Sequence, residues 1–260
     1  MASAMLDKLQ SAHFSAAHGL PFVPTLEADG DVDRARRFAA THGWPLIAKP
    51  RRGFASRGVR LLFTDHQLER ACATPDTVIQ KYVGDGAAVR RMADDMAERG
   101  LPLFFTTEET KLSLQACIGP DGAVTAAFAS GNVMRMGRSE AVQLVDDAAL
   151  VEFAARWAQV FAQAGWRGPL NIQCQRDSDG AVAIYEYNGR FTGATAARQL
   201  LGFDEVRCVL RDWLGCDAGG PTFAPAREVL RYLVGRPRRD DDARRLLRDG
   251  CWERDAGGAR

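Results

Sequence analysis

The run Leu170-Asn171-Ile172-Gln173-Cys174-Gln175, continued by Arg176-Asp177-Ser178-Asp179-Gly180 and then Ala181-Val182-Ala183-Ile184-Tyr185-Glu186-Tyr187-Asn188-Gly189-Arg190, decides how the chain is read. Both flanks alternate, and Asp179-Gly180 is a strong two-residue hairpin signal. With that turn Ser178 faces Ala181, Gln173 faces Glu186 and Asn171 faces Asn188, and any even loop length keeps the same faces together. Asn171, Gln173, Glu186, Asn188 and Arg190 then converge on one surface, while Ile172, Cys174, Tyr185 and Tyr187 point into a core. Short, amide-rich oxygen donors suit a hard cation such as Mg²⁺, which takes one or two carboxylates and completes an octahedral shell with phosphate oxygens. Glu186, Asn188 and Gln173 fit as metal ligands, and Arg190 fits as a grip on a phosphate oxygen. The competing reading of the same row is the wet side of an antiparallel sheet.

Working back from the hairpin, Asp7 to His18 reads as an amphipathic helix with Leu9, Phe14 and Ala17 on one side, followed by extended Leu20-Pro21-Phe22-Val23-Pro24. A second helix runs from Asp31 to His42. Two apolar runs, Trp44 to Pro50 and Val59 to Phe63, flank the loop Arg51-Arg52-Gly53-Phe54-Ala55-Ser56-Arg57-Gly58. That loop has glycines for backbone freedom and arginines for charge, and it sits beside Lys49 at a strand end. It can fold over a polyphosphate, or be an ordinary basic surface loop. A short helix (Asp65 to Ala73) and a strand (Thr77 to Val83) follow, the strand being placed to read an adenine edge with its backbone. Ala87 to Arg99 has helical composition, and Leu101 to Phe105 has that of a small strand. Lys111 to Ile118 and Ala123 to Ser130 read as strands joined at Pro120-Asp121-Gly122, and Asp147 to Ala164 as a long helix burying Leu150, Phe153, Ala154, Trp157 and Phe161. Arg236 to Arg248 reads as a solvated, salt-bridged helix.

Composition narrows the function. The 260 residues are 46% hydrophobic and 26% charged, with 34 Lys and Arg against 33 Asp and Glu. A net charge of +1 removes the general attraction to phosphate backbones that a nucleic-acid binder carries. Charged residues break every apolar run short of a membrane span, so neither nucleic acid nor membrane is an expected partner. The N-terminus lacks a signal-peptide pattern, and the six cysteines are scattered without C-x-x-C pairs. Reduced thiols and a cytoplasmic protein are expected.

The order of these parts resembles the ATP-grasp superfamily, in the branch of carbamoyl-phosphate synthetase large subunits and biotin carboxylase, over about Asp7 to Asp204. Asp7-Lys8 with Gly19-Leu20-Pro21 is similar to that family's opening helix, whose basic residue reaches nucleotide phosphates. Lys49 with Ser56-Arg57-Gly58-Val59 is similar to its second lysine and phosphate loop. Ile79-Gln80-Lys81-Tyr82-Val83 is similar to its hinge, and the resemblance implies that the backbone at Lys81 and Val83 holds adenine beside Gln80, which stands where an acid is usual. Asn171-Ile172-Gln173 with Glu186-Tyr187-Asn188-Gly189-Arg190 is similar to its metal site. Glu109 stands where the family has a ribose-binding acid and Arg135 where a basic residue approaches the substrate; an ordinary surface charge is the other reading of each.

The resemblance implies an α+β, ATP-grasp fold in which two subdomains with mostly antiparallel sheets grip ATP. It divides the chain into a small lobe (1–84), a helical insertion (85–107), a large lobe with the metal site (108–225) and a C-terminal extension (226–260). Members usually begin with a further domain, so either it was removed or a separate chain supplies it. Gly189 stands in place of the more common Pro or Thr, which implies a bend in the metal strand. The implied activity is ATP-dependent carboxylate–amine ligation through an acyl phosphate, with ATP and Mg²⁺ or Mn²⁺ as cofactors. Lys49, Arg135 and Arg190 would serve the reaction, and a small carboxylate and an amine would be its substrates. An ATP-binding module or pseudoenzyme, serving within a larger complex or as a sensor, is the alternative.

Overall fold

The computed structural model describes residues 1–53, 56–102, 109–135, 138–177, 179–216, 219, 224–232 and 248. Two short helices open the chain, α1 (Ala2–Leu6) and α2 (Lys8–Ala17), followed by β1 (Thr25–Glu27) and α3 (Val32–His42). Next come β2 (Leu46–Pro50), β3 (Arg60–Leu62), α4 (Asp65–Cys72), β4 (Thr77–Lys81) and α5 (Gly86–Arg99). The rest is β5 (Glu109–Ile118), β6 (Val124–Arg135), β7 (Arg138–Leu144), α6 (Ala148–Gln163), β8 (Gly168–Arg176), β9 (Val182–Asn188), α7 (Thr195–Leu200), α8 (Glu205–Leu214) and β10 (Glu228–Leu230). Helix starts follow side-chain caps: Asp7, Asp31, Thr64, Asp85, Asp147 and Asp204 each accept an N–H from the first turn.

The strands form two sheets, ordered β1-β4-β2-β3 and β10-β7-β6-β5-β8-β9, with antiparallel pairing throughout both. In the small sheet, Leu46, Ala48 and Ile79 pack with Ala35, Ala39, Leu68 and Cys72 of α3 and α4. Alternation leaves Ile47, Lys49, Val78 and Gln80 on the opposite face, with Ile47 opposite Gln80 and Lys49 opposite Val78. In the large sheet, Leu114, Ala116, Leu170, Ile172 and Ile184 form the back face and bury the α6 stripe Leu150, Ala154, Trp157 and Phe161. Each large apolar side chain so buried contributes ~1.5–3 kcal/mol. The polar front face carries Lys111, Ser113, Gln115, Asn171, Gln173, Glu186 and Asn188, and α7 and α8 cover its far end.

Several expectations are corrected here. Helices α1 and α2 also pack against the large lobe: Met5 and Leu20 join the core behind its sheet, and Ser15 Oγ lies 2.7 Å from the buried Tyr187 hydroxyl, while Asp7 and Lys8 meet Arg51 at the end of β2. The inward face of α2 is Lys8, Leu9, Ser11 and Ser15, whereas Ala17 is exposed. Small hydroxyls are tolerated inside because Ser11 and Ser15 donate to the backbone carbonyls of Ala4 and Ser11. Strand β10 pairs with β7, so Glu228–Leu230 of the C-terminal segment add a strand to the edge of the large sheet. The proposed strand at Leu101–Phe105 and helix at Arg236–Arg248 fall largely outside the described residues. Cys72, Cys117, Cys174, Cys208 and Cys216 are free thiols. No helix among the described residues is long and apolar enough to cross a membrane.

Candidate functional site

The β8–β9 hairpin pairs Asn171 with Asn188 and Gln173 with Glu186. The turn, however, is odd. Asp177 N–H donates to Ala181 O at 2.8 Å, closing a three-residue loop in which Gly180 has φ +84°. Taken alone, that loop would slip the register by one. A bulge restores it: Cys174 pairs with Ile184, Gln173 pairs with Glu186, and Tyr185 is the extra residue. Ile184 therefore fills the core position expected for Tyr185. The Tyr185 ring instead turns towards the small lobe, with Lys49 Nζ 4.8 Å and Lys111 Nζ 5.6 Å from its centroid.

Asn188 is oriented from behind. Its amide nitrogen donates to Asn171 Oδ1 at 3.4 Å, Asn171 Nδ2 donates to Ser113 Oγ at 2.7 Å, and Gln115 Nε2 donates to the same hydroxyl at 2.7 Å. Asn171, Ser113 and Gln115 are buried. The chain of amides fixes the plane of the Asn188 side chain. Glu186 is 24% exposed at its side chain and lies 3.8 Å from Lys8 Nζ. No group of three His, Cys, Asp or Glu that could hold a metal occurs among the described residues. A cation here would take one carboxylate and amide oxygens, with its remaining positions left to phosphate or water.

Lys8 is held by its neighbour. Asp7 caps α2 through Leu9 N–H at 3.0 Å and Gln10 N–H at 3.4 Å, and it accepts from Arg51 Nη2 at 2.8 Å and from Arg51 Nε at 3.1 and 3.2 Å. Burial pushes the Asp7 carboxyl up, but the hydrogen bonds from Arg51, Gln10 and Leu9 outweigh it and hold the group below its usual range. Arg51 also reaches Glu27 at 2.6 Å. Arg51 is thus a structural clamp between α2, β1 and the end of β2, not the phosphate cation the loop's composition implied. Arg52 remains largely exposed, and Gly58 (φ +73°) lies so close to Pro50 that a Cβ would sit 2.9 Å from Pro50 Cγ. Ser56 is an exposed residue with φ 56° in the same turn.

At the hinge, Gln80 is fully buried, its Nε2 donating to Thr25 Oγ1 at 3.0 Å and its Oε1 without a partner. Lys81 N–H donates to Pro24 O at 3.1 Å. In an antiparallel ladder the carbonyl points to the same neighbour, and Pro24 has no N–H to return, so the Lys81 carbonyl lacks a ladder donor. Val83 lies just beyond β4 and is half-buried. The Lys81 ammonium pairs with Asp177 at the hairpin turn, tying the lobes together.

The structure thus brings together Lys8, Lys49, Gln173, Glu186 and Asn188, with Gln80 and the Lys81 backbone on the facing sheet. Arg190 is exposed, with Nη1 donating to Phe191 O at 3.1 Å, and lines a chamber with Lys8, Glu186 and Asn188. Arg135 is not part of the group. It pairs with Glu140 at 3.5 Å at the β6–β7 end, three strand spacings or about 14 Å from β9. Glu109 opens β5 opposite Met134. Lys111 was missed, although it stands on the polar face that Ser113 and Gln115 share. Gly189 lies in the bend that follows β9, and a Cβ there would lie 2.2 Å from Trp166 Cζ2, so glycine also admits the indole against the backbone.

No known family profile matches the chain. A pyruvate carboxylase subunit of Methanothermobacter thermautotrophicus is 32% identical over 83 residues, covering 32% of this chain and 17% of that protein. Among solved structures, the biotin carboxylase domain of Hydrogenobacter thermophilus 2-oxoglutarate carboxylase, in complex with MgADP, ADP and bicarbonate, superposes with a TM-score of 0.62 at 18% identity, over 85% of this chain and 47% of that one. An N5-carboxyaminoimidazole ribonucleotide synthetase in its ADP complex reaches 0.65 at 14% identity, over 95% and 60%. The Thermus thermophilus enzyme of that name reaches 0.62 at 18%, over 83% and 54%. The chain spans roughly half the length of these solved relatives.

Proposed function

We propose that this chain, whose fold is that of the ATP-grasp enzymes, is an ATP-dependent carboxylate–amine ligase acting through an acyl phosphate. The observation that carries the reading is the pairing of Glu186 with Gln173 and of Asn188 with Asn171 directly beneath Lys8 and Lys49. The residues fit the nucleotide and its cation. Gln80 Oε1 is a buried acceptor without a partner and the Lys81 carbonyl has no ladder donor from Pro24; both would suit the exocyclic amine of adenine, and Val83 N–H would complete the edge. Glu186, Asn188 and Gln173 would hold Mg²⁺ or Mn²⁺, which when bound neutralises charge on the β- and γ-phosphates. Glu109, at the start of β5, is assigned to the ribose.

The chain's own groups would do the rest by positioning and electrostatics. Lys8 and Lys49 hold phosphate oxygens, the Tyr185 ring braces Lys49, and Ser56 and the backbone of the 56–58 turn cover the phosphates. A substrate carboxylate oxygen attacks the γ-phosphorus, the bond to the β-bridging oxygen breaks, and ADP leaves. An amine then adds to the acyl carbon, phosphate departs, and the amide nitrogen loses a proton. Arg190 would steady the transferred group. Arg135, far along the sheet with Glu140, takes no step in this scheme.

Calorimetric titration of ATP with and without Mg²⁺ tests the reading. Binding is expected to depend on Mg²⁺ and to weaken by at least about tenfold in Glu186→Ala and in Lys49→Ala. Unchanged affinity in both variants refutes the site. Binding without ADP release across a panel of acids and amines favours the ATP-binding module instead.

A further inference from the structure

Beside the metal-strand residues lies a chamber of about 630 Å³, a volume that suits an organic molecule of drug size. Its wall carries charged groups, Lys8, Arg190 and Arg52 with Glu186, while Asp7, also in the wall, is already neutralised by Arg51. The same wall carries apolar groups, Met5 and Leu6 of α1 and the indole of Trp166, which packs on Gly189. That indole is fixed. Its Nε1 donates to Pro169 O at 3.2 Å, and its benzenoid edge occupies the space that any side chain at position 189 would need.

With phosphates and a cation held at Lys8, Glu186 and Asn188, a one-carbon acid such as bicarbonate would still leave the part of the chamber against Met5, Leu6 and Trp166 to water, which is unfavourable. We infer that the chamber takes a monocarboxylic acid carrying a bulky apolar group, with its carboxylate beside Lys8 and Arg190 and its apolar body against Leu6 and Trp166. The inference rests on the ligase reading in one respect: this acid is the one that would accept the γ-phosphoryl group, since its carboxylate would lie next to Glu186 and Asn188.

The test is calorimetry on the full chain with 3-phenylpropanoate and with acetate, each with and without Mg²⁺ and a non-hydrolysable ATP analogue. The aryl acid is expected to bind at least about tenfold more tightly than acetate. Leu6→Glu should remove most of that preference. Leu6 is 69% exposed, so the change leaves the fold intact, and it places a like charge beside the acid. Trp166→Ala should do the same, with the affinity for the ATP analogue kept within about twofold in Leu6→Glu. Equal affinity for the two acids overturns the inference, as does a preference that survives Leu6→Glu; either would result if a protein segment, not a small acid, covers this wall. The two readings fail separately. Analogue binding without acid preference removes the apolar acid and spares the nucleotide site, whereas acid preference without analogue binding supports the chamber and removes the ligase.

Discussion

Replacing Arg51 by Met is expected to destabilise the protein by about 3 kcal/mol. Asp7 is 3% exposed at its side chain, and Arg51 supplies three of its contacts, at 2.8, 3.1 and 3.2 Å. Removing one partner of a buried ion pair costs ~3–5 kcal/mol, because the other charge is left desolvated. Asp7 keeps its Leu9 N–H bond at 3.0 Å and a longer one from Gln10, which lowers the expected loss towards the bottom of that range. The Glu27 contact adds little, since that carboxylate is 42% exposed. Equilibrium unfolding in urea reads the change: with a slope of ~2–3 kcal/mol/M the midpoint should fall by about 1 M or more. Asp7→Asn in the same chain should recover a good part of the loss, because the amide oxygen still caps α2 and no charge remains buried. The pH dependence follows from the depressed carboxyl. Its stabilising contribution is full above the unfolded value of 3.8 and disappears as pH falls through the lower folded value. The gap between Arg51→Met and the parent should therefore narrow in acid. A loss below about 1 kcal/mol at neutral pH, or a gap that widens in acid, refutes the clamp.

Three further outcomes follow from the same geometry. Gly189→Ala places a Cβ 2.2 Å from Trp166 Cζ2, so the ring must move; a loss of ~1–3 kcal/mol and a shift in tryptophan emission are expected, and unaltered emission counts against the packing. Gln80→Met removes an acceptor that has no partner in the free protein, so stability should change by less than about 1 kcal/mol while ATP affinity falls more than affinity for GTP, both read by calorimetry. Arg198→Met strands Glu205, its fully enclosed partner, and frees Thr192 in the loop after Asn188; a loss of ~3–5 kcal/mol in urea unfolding is expected, largely recovered by adding Glu205→Leu.

The hairpin pairs were legible because polar residues recur at every second place, and a one-residue slip would have buried Glu186. The helix starts at Asp7, Asp31 and Asp147 were legible for a similar reason: an Asp before an apolar period has few other uses. The loop was misread because Asp-Gly serves a two-residue turn and a three-residue turn equally well, and only the latter leaves Asp179 at negative φ beside a left-handed Gly180. Nothing local distinguishes Arg51 from Arg52; the difference is made by Asp7, 44 residues away. Strand β7 and strand β10 are short or charge-bearing and exist because a neighbouring edge accepts them. Lys111 escaped notice since its importance comes from the Tyr185 ring, which the bulge turned outwards.

The odd turn and the bulge are two one-residue surpluses that cancel. The segment between them, Val182 to Ile184 against Cys174 to Arg176, works as an adjustable coupling between the tip and the chemistry-bearing pairs. Residues added or removed at the tip can be absorbed by creating or erasing such a bulge, without displacing Glu186 from Gln173. For protein engineering this marks the 177–181 tip as a place to graft a reporter peptide, provided that Asp177 is kept for its grip on Lys81.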